Sequence, residues 1–322
     1  MTFSIVARCD KSGALGVAVS TAVPAVGAMC VYVRAGVGAV STQSWVNPYL
    51  ALTTLDLLES GADTESALAQ ALGRDPAADL RQIGAIGHRG HGAAWTGVRC
   101  TDWAGQRTGA WYAIQGNMLV GAATLDAMQA SFEATRHLAL EERLMQALEA
   151  GQAAGGDMRG RQSAALKVVR DEAYAWVDLR VDEHENPVAE LRRVFDIARQ
   201  QMTPFVEGMP TRDDPGRAPP PDVTRMLLMP PLSRPGATMR ERDVHEHDVA
   251  SDHIDQLARW IGVDFADDRV AHNLSVYRSI LTEIDKLRTL DLADRHPAVV
   301  FDVKRLYRTD RSSGTQDTTE SA

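Results

Sequence analysis

The sequence predicts an α+β fold: a four-layer α-β-β-α sandwich of two antiparallel sheets, with a small helical module near the C-terminus. Three observations carry that expectation. Apolar, β-branched runs come in hairpin-like blocks, pairs of amphipathic helices separate the blocks, and beyond residue 203 the chain turns rich in proline. A parallel α/β sheet would instead alternate single strands with single helices. Hairpin blocks divided by helix pairs suit two sheets packed face to face and covered outside.

The first run, "TFSIVARC", begins at the second residue and stops at the turn-like "DKSG". An untethered terminus gains little from being ordered, so a strand starting at residue two is unusual. Strands are predicted over 2–9, 14–22, 28–34 and 37–43, with turns at Gly13, "PAVG" and Gly36. "WVNPYLALTTLDLLESG" then changes to helical periodicity, with Leu50, Leu55 and Leu58 near one face and Gly61 as its stop. A second helix follows at 64–72, capped within "DTES". Strands return at 82–87, 92–98 and 109–115, and helices at 122–134 and 138–151. "QSAALKVVR" and "AYAWVDLRV" read as strands, and a helix opened by a proline runs from Pro187 to about Gln201.

Four regions follow from this pass: a sandwich domain over 1–203, a Pro-rich linker over 204–250, a helical module over 251–308 and a disordered tail over 309–322. The linker carries eight prolines in the 27 residues of "PTRDDPGRAPPPDVTRMLLMPPLSRPG", too many for helix or sheet interiors, although "MLLMP" suits docking on a surface. The module reads as helices at about 252–261 and 267–289, the second with a stripe of Leu274, Tyr277, Leu281, Ile284 and Leu287. Two such helices bury too little to stand alone, so they need a partner in cis or in trans.

Of the 322 residues, 44% are hydrophobic and 24% charged, and the formal net charge is −9. That balance suits a globular protein and argues against a nucleic-acid surface. Neither a bilayer-spanning apolar run nor a signal peptide is read, and a cytoplasmic location is expected. Cys9, Cys30 and Cys100 are too few and too scattered for a disulfide framework, so they read as buried free thiols.

Initiator Met is normally removed before a residue as small as Thr. Mature Thr2 would then carry a hydroxyl nucleophile and a free α-amine on one residue. An α-amine titrates near 7.7–8.0, so a useful fraction is neutral and able to take the hydroxyl proton. Thr with its own terminal amine is a known nucleophile–base couple, and a strand starting at Thr2 holds it rigidly.

"TFSIVARC…GALGVAVSTAVPAVGAMCVYVRAGVGAVSTQSW", with "TGVRCTDWAGQRTG", "IQGNML" and "GGDMRGRQSAAL", resembles the DUF1028 family of the N-terminal-nucleophile (Ntn) hydrolase superfamily, from Thr2 to about Ala198. The resemblance implies an Ntn-like sandwich and cleavage of an amide C–N bond, and names no substrate. It also implies a basic side chain near the nucleophile, for which Arg34 in "YVRAGVG" is the positional candidate. Arg34 would stabilise an anion or orient a carboxylate, since an arginine is always charged.

In "QGNM", Gln115 and Asn117 flank a glycine at a strand end; they suit an oxyanion or an amide substrate, and a purely structural turn fits as well. Gln43, after Ser41 and Thr42, is a further substrate-binding candidate. Asp157 and Arg159 lie in a Gly-rich loop before a strand, where Asp157 either contacts substrate or caps a turn. That loop lacks the Lys-Ser/Thr of a phosphate-binding loop. Asp178, Asp182, Glu183 and His184 read as a salt-bridged strand edge, and "GHRGHG" as a hairpin turn. His245, His247, Asp248 and His253 are zinc-ligand types but lie at the end of the linker and just past it, with no evident supporting groups, so no metal and no cofactor is expected.

"DHIDQLARWIGVDF…RVAHNLSVYRSILTEIDKL…HPAVVFDV" is similar to GatC-like accessory subunits of amidase-signature enzymes, including AtzG-like proteins. The expected activity is therefore an Ntn amidohydrolase acting through Thr2, Arg34 and Asn117, with Gln115, Gln43 and Asp157 binding a small amide. The alternative is an inactive Ntn-fold subunit that binds a separate amidase through its C-terminal helices. A homo-oligomer is expected in either case.

Overall fold

The computed structural model describes residues 2–236, which hold two antiparallel sheets. The first contains β1 (Thr2–Arg8), β2 (Leu15–Thr21), β7 (Gly105–Gly109), β8 (Tyr112–Asn117), β9 (Ser163–Val169) and β10 (Ala175–Val181), in the order β10-β9-β2-β1-β8-β7. The second contains β3 (Val31–Arg34), β4 (Gly38–Ser44), β5 (Arg81–Gly87) and β6 (Gly90–Thr96), in that order. Strand β1 therefore lies inside its sheet, paired along its length with β2 on one side and β8 on the other.

Period-two alternation sends the two sides of β1 into different layers. Phe3, Ile5 and Ala7 join Leu125, Met128, Phe132, Leu144 and Leu148 in the core beneath α4 (Ala123–Ala134) and α5 (Leu140–Ala153). Val6 faces the other way and packs with Ala39 and Ile86 of the second sheet. The outer side of the second sheet is covered by α2 (Pro48–Glu59) and α3 (Thr64–Leu72), whose Leu55, Leu58 and Leu68 pack with Val40, Ile83 and Ala85. The four layers follow as expected. Phe3, Leu144 and Ile83 are wholly buried, and each such side chain contributes about 1.5–3 kcal/mol.

Helix starts follow the expected chemistry. Asn47 accepts the Tyr49 N–H at the start of α2, with Pro48 in the first turn, and Asp63 accepts the Ser66 N–H at the start of α3. Four features differ from the sequence expectation. Residues 26–29 form a helical turn, α1 (Val26–Met29), ahead of β3. "GQRTG" is a separate strand, β7, polar and at the sheet edge, so it shows no apolar alternation. Helix α6 (Pro187–Glu207) carries Pro204 within it and runs past Gln201. Part of the segment read as linker is α7 (Pro221–Leu228), which buries Val223 and Met226. The helices placed at 252–261 and 267–289, the tail and the 245–253 histidine cluster lie outside the described residues. Among the described residues, no helix is long and apolar enough to cross a membrane.

One ion pair braces the Ser44 end of β4. Asp75 accepts from Arg81 Nε at 2.8 Å, Asn47 Nδ2 at 2.8 Å and the Ala77 N–H at 2.9 Å, while Arg81 Nη1 reaches the Trp45 carbonyl at 2.7 Å. This latch ties the 45–47 turn, which continues β4, to the start of β5. The Arg81 hydrogen bond, together with those from Asn47 and Ala77, holds the Asp75 carboxyl at about 2. A carboxyl depressed in the folded state contributes fully above its unfolded value, near 3.9, and loses that contribution as pH falls towards 2. Asp75→Asn is expected to cost roughly 2 kcal/mol at neutral pH. Urea-unfolding free energies of variant and wild type should converge between pH 5 and pH 2; a constant gap would mean that Asp75 ionisation contributes nothing.

Candidate active site

Thr2 begins β1 opposite Thr21 of β2 and Asn117 of β8. Its hydroxyl lies 3.2 Å from the Thr21 hydroxyl, and the residue is 5% exposed. Both neighbouring strands extend as far as Thr2, so this strand start does not fray. Alternation puts Thr2 on the same side as Ser4 and Val6, facing the second sheet.

Beneath Thr2 runs a layer of polar side chains inside the sandwich. Ser4, Gln115 and Gln106 are cross-strand neighbours in the first sheet; Gln43, Gln82 and Thr96 are cross-strand neighbours in the second. Ser4, Gln43, Gln82 and Gln115 have no exposed surface at all. Ser4 Oγ donates to Gln43 Oε1 at 2.7 Å and accepts from Gln115 Nε2 at 2.6 Å. Gln43 Nε2 donates to Gln82 Oε1 at 2.7 Å, to the Thr2 carbonyl at 3.1 Å and to the Gln115 carbonyl at 3.3 Å. Asn117 Nδ2 donates to Gln82 Oε1 at 2.8 Å. Buried amides persist only when partnered in this way.

A turn crosses the ends of β2 and β8 beside Thr2. Asp157 accepts the Ala22 N–H at 3.1 Å and the Arg159 N–H at 2.8 Å, and Arg159 Nη2 lies 3.3 Å from its carboxylate. The Met158 N–H reaches the Met118 carbonyl, and Leu119 bridges to Asp157. Met118, with φ of 51°, makes the sharp exit from Asn117 into this turn, a left-handed conformation that the surrounding bonds impose. Cys30, whose carbonyl accepts the Thr42 N–H, is an unreactive thiol, since burial pushes it up to about 12.

Thr2, Asn117, Gln43 and Asp157 are thus brought together, with Gln115 one cross-strand layer deeper. Arg34 is not. It pairs with Gly38, while the contact to Thr2 is made by Gln43, five residues further along β4, a separation of roughly 17 Å along the strand. Its guanidinium instead meets Asp56 at 3.0 Å and Glu59 at 2.6 Å on α2. The β3–β4 hairpin turns at the far end of the sandwich, and that corrects the expectation that Arg34 lies at Thr2. Gln43 and Gln115, expected to contact substrate, are fully enclosed, and the Gln43 amide is spent on Thr2 and its neighbours. Asp157, similarly, caps its own turn and the end of β2.

Two site residues were missed by sequence reasoning: Thr21 and Gln82. Gln82 had a visible signal, a polar residue that opens the otherwise apolar run "QIGAIG" after Arg81. At the edge strand β10, Asp178 pairs with Lys167 at 2.8 Å and Asp182 with Arg180 at 2.7 Å, as the salt-bridged reading of those two residues expected. A cavity of about 500 Å³, lined by His88, His91, Asp63 and Thr108, lies at the Gly87 end of β5, away from Thr2.

Residues 2–191 match DUF1028, described as a family of unknown function. Among similar solved structures is a DUF1028 protein from Silicibacter pomeroyi, 30% identical, with a TM-score of 0.62; the alignment covers 67% of this chain and 98% of that one. Another is Anbu, the ancestral beta-subunit, from Yersinia bercovieri: 10% identical, TM-score 0.31, covering 65% of this chain and 98% of that one. No curated protein matches the chain.

Proposed function

The chain belongs to the DUF1028 family, and from that premise we propose that its sandwich domain is an N-terminal-nucleophile hydrolase cleaving a C–N bond in a small amide. Removal of Met1 frees the α-amine of Thr2. The Thr2 hydroxyl then attacks the amide carbonyl while the amine takes its proton. The proton passes to the leaving nitrogen, the C–N bond breaks, and water hydrolyses the resulting ester. One Asn117 amide hydrogen is held by Gln82, and the other is left for the developing oxyanion. Gln43 fixes the backbone of the nucleophile by its bond to the Thr2 carbonyl, and such fixing of geometry supplies much of the rate.

The observation that carries this function is the position of Thr2: a buried hydroxyl at the first residue of an internal strand, at an end of the sandwich closed by polar groups. An exposed or frayed Thr2 would have no such support. The test is turnover of a panel of small primary and secondary amides by protein whose intact mass lacks Met1. Release of ammonia or amine that is lost in Thr2→Ala supports hydrolysis; no release from any amide opposes it.

A second function has one specific observation in its favour. Arg34, the basic group the family resemblance nominates, is held by α2 far from Thr2. An Ntn-fold subunit without activity needs no such group. In that case residues 251–308 would dock a separate amidase, and the sandwich would serve assembly.

A further inference from the structure

Gln82 is the one side chain of the second sheet that bonds both the layer beneath Thr2 and Asn117. Its Nε2 faces the Gly116 carbonyl at 2.7 Å, the Gly105 carbonyl at 3.2 Å and Thr96 Oγ1 at 3.0 Å. Turning the amide over would set its oxygen against two carbonyl oxygens, so the orientation is fixed. Its Oε1 must therefore face Gln43 and Asn117, and both must offer it an NH₂. Asn117 has no such constraint of its own: its bond to Gln82 sets which end of its amide points at the site. Gln43, held the same way, presents its remaining hydrogen-bonding capacity to the Thr2 carbonyl.

We propose that Gln82 is the positioning residue of the Thr2 site, setting the amide orientation of Asn117 directly and the backbone of Thr2 through Gln43. Gln82 touches no reacting atom. The proposal rests on Thr2 as the nucleophile, and its effect falls on the chemical step rather than on ligand binding. An isosteric carboxyl should substitute for the amide. Burial keeps such a group neutral, with one oxygen for Asn117 and a hydroxyl for the Gly116 carbonyl.

The test uses acylation of the full chain by a β-lactone. The Thr2 oxygen bonds to the lactone carbonyl, the ring C–O bond breaks, and the hydroxyl proton passes through the α-amine to the released alkoxide. Gln82→Met should lower the maximal acylation rate at least tenfold with the half-saturating lactone concentration unchanged within twofold. Gln82→Glu should keep at least a third of the wild-type rate. Equal rates in Gln82→Met and wild type would overturn the proposal while leaving Thr2 as nucleophile. No acylation of wild type would overturn both, and the two failures are distinct. Should Gln82→Met not fold, Gln82→Asn shortens the side chain by one methylene and draws its amide away from Asn117. A tenfold slower rate at unchanged half-saturation is expected there, and an unchanged rate would again overturn the proposal.

Discussion

Thr2→Ala should abolish covalent acylation by a β-lactone, a fall of at least 10⁴ in rate, or about 5 kcal/mol of barrier. The loss is this large because the nearby described groups are poor substitutes: Thr21 has a hydroxyl but no terminal amine of its own, and the Cys30 thiol is held protonated by burial. Stability should change little. The variant loses one hydroxyl contact to Thr21, worth about 1 kcal/mol, and its midpoint should fall by about 2–4 °C. Rapid-quench labelling followed by intact mass measures the first quantity and a melting curve the second. Acylation at the wild-type rate would remove Thr2 from the chemistry.

Gln43→Leu should give a large loss of stability, because it opens the centre of the polar layer. Leucine fits the volume but cuts four bonds, leaving Ser4 Oγ without its acceptor and the Thr2 and Gln115 carbonyls without this donor. Leaving buried groups unpaired costs about 1–3 kcal/mol each, partly relieved by relaxation. A total near 3 kcal/mol lowers the melting midpoint by roughly 6–12 °C. Ser41→Ala is the comparison, two residues earlier on the same strand. Ser41 Oγ is buried and makes no hydrogen bond, so its removal should cost under about 1 kcal/mol. Equal midpoints for the two variants would mean that the layer contributes packing alone.

Much of the sandwich was legible because its strands bury one or both sides and its helices bury a stripe. "TFSIVAR" and "LGVAVST" are buried nearly throughout, and the Leu50–Leu55–Leu58 face of α2 is the face that packs. Strand β7 was not legible, because a short polar edge strand has neither alternation nor β-branched runs. Pro204 hid the last turns of α6, since a proline usually marks a helix end. The site was legible where chemistry lies in one residue, as at Thr2, or where strand ends carry amides, as at Asn117 and Gln43. Arg34 was misplaced because strand position alone does not say at which end of a sheet a hairpin turns. Gln82 was missed because its role comes from register across two sheets, and register is fixed only when the whole sandwich assembles.

The central claim is that Thr2, freed of Met1, is the nucleophile. The most direct measurement is peptide mapping of the native protein after brief exposure to a β-lactone at pH 8, where about half or more of the α-amine is neutral. The predicted result is a single adduct on an N-terminal peptide that begins at Thr2, with labelling falling away below pH 7 as the amine gains its proton. An N-terminal peptide that retains Met1, or an adduct on any other residue, would contradict it.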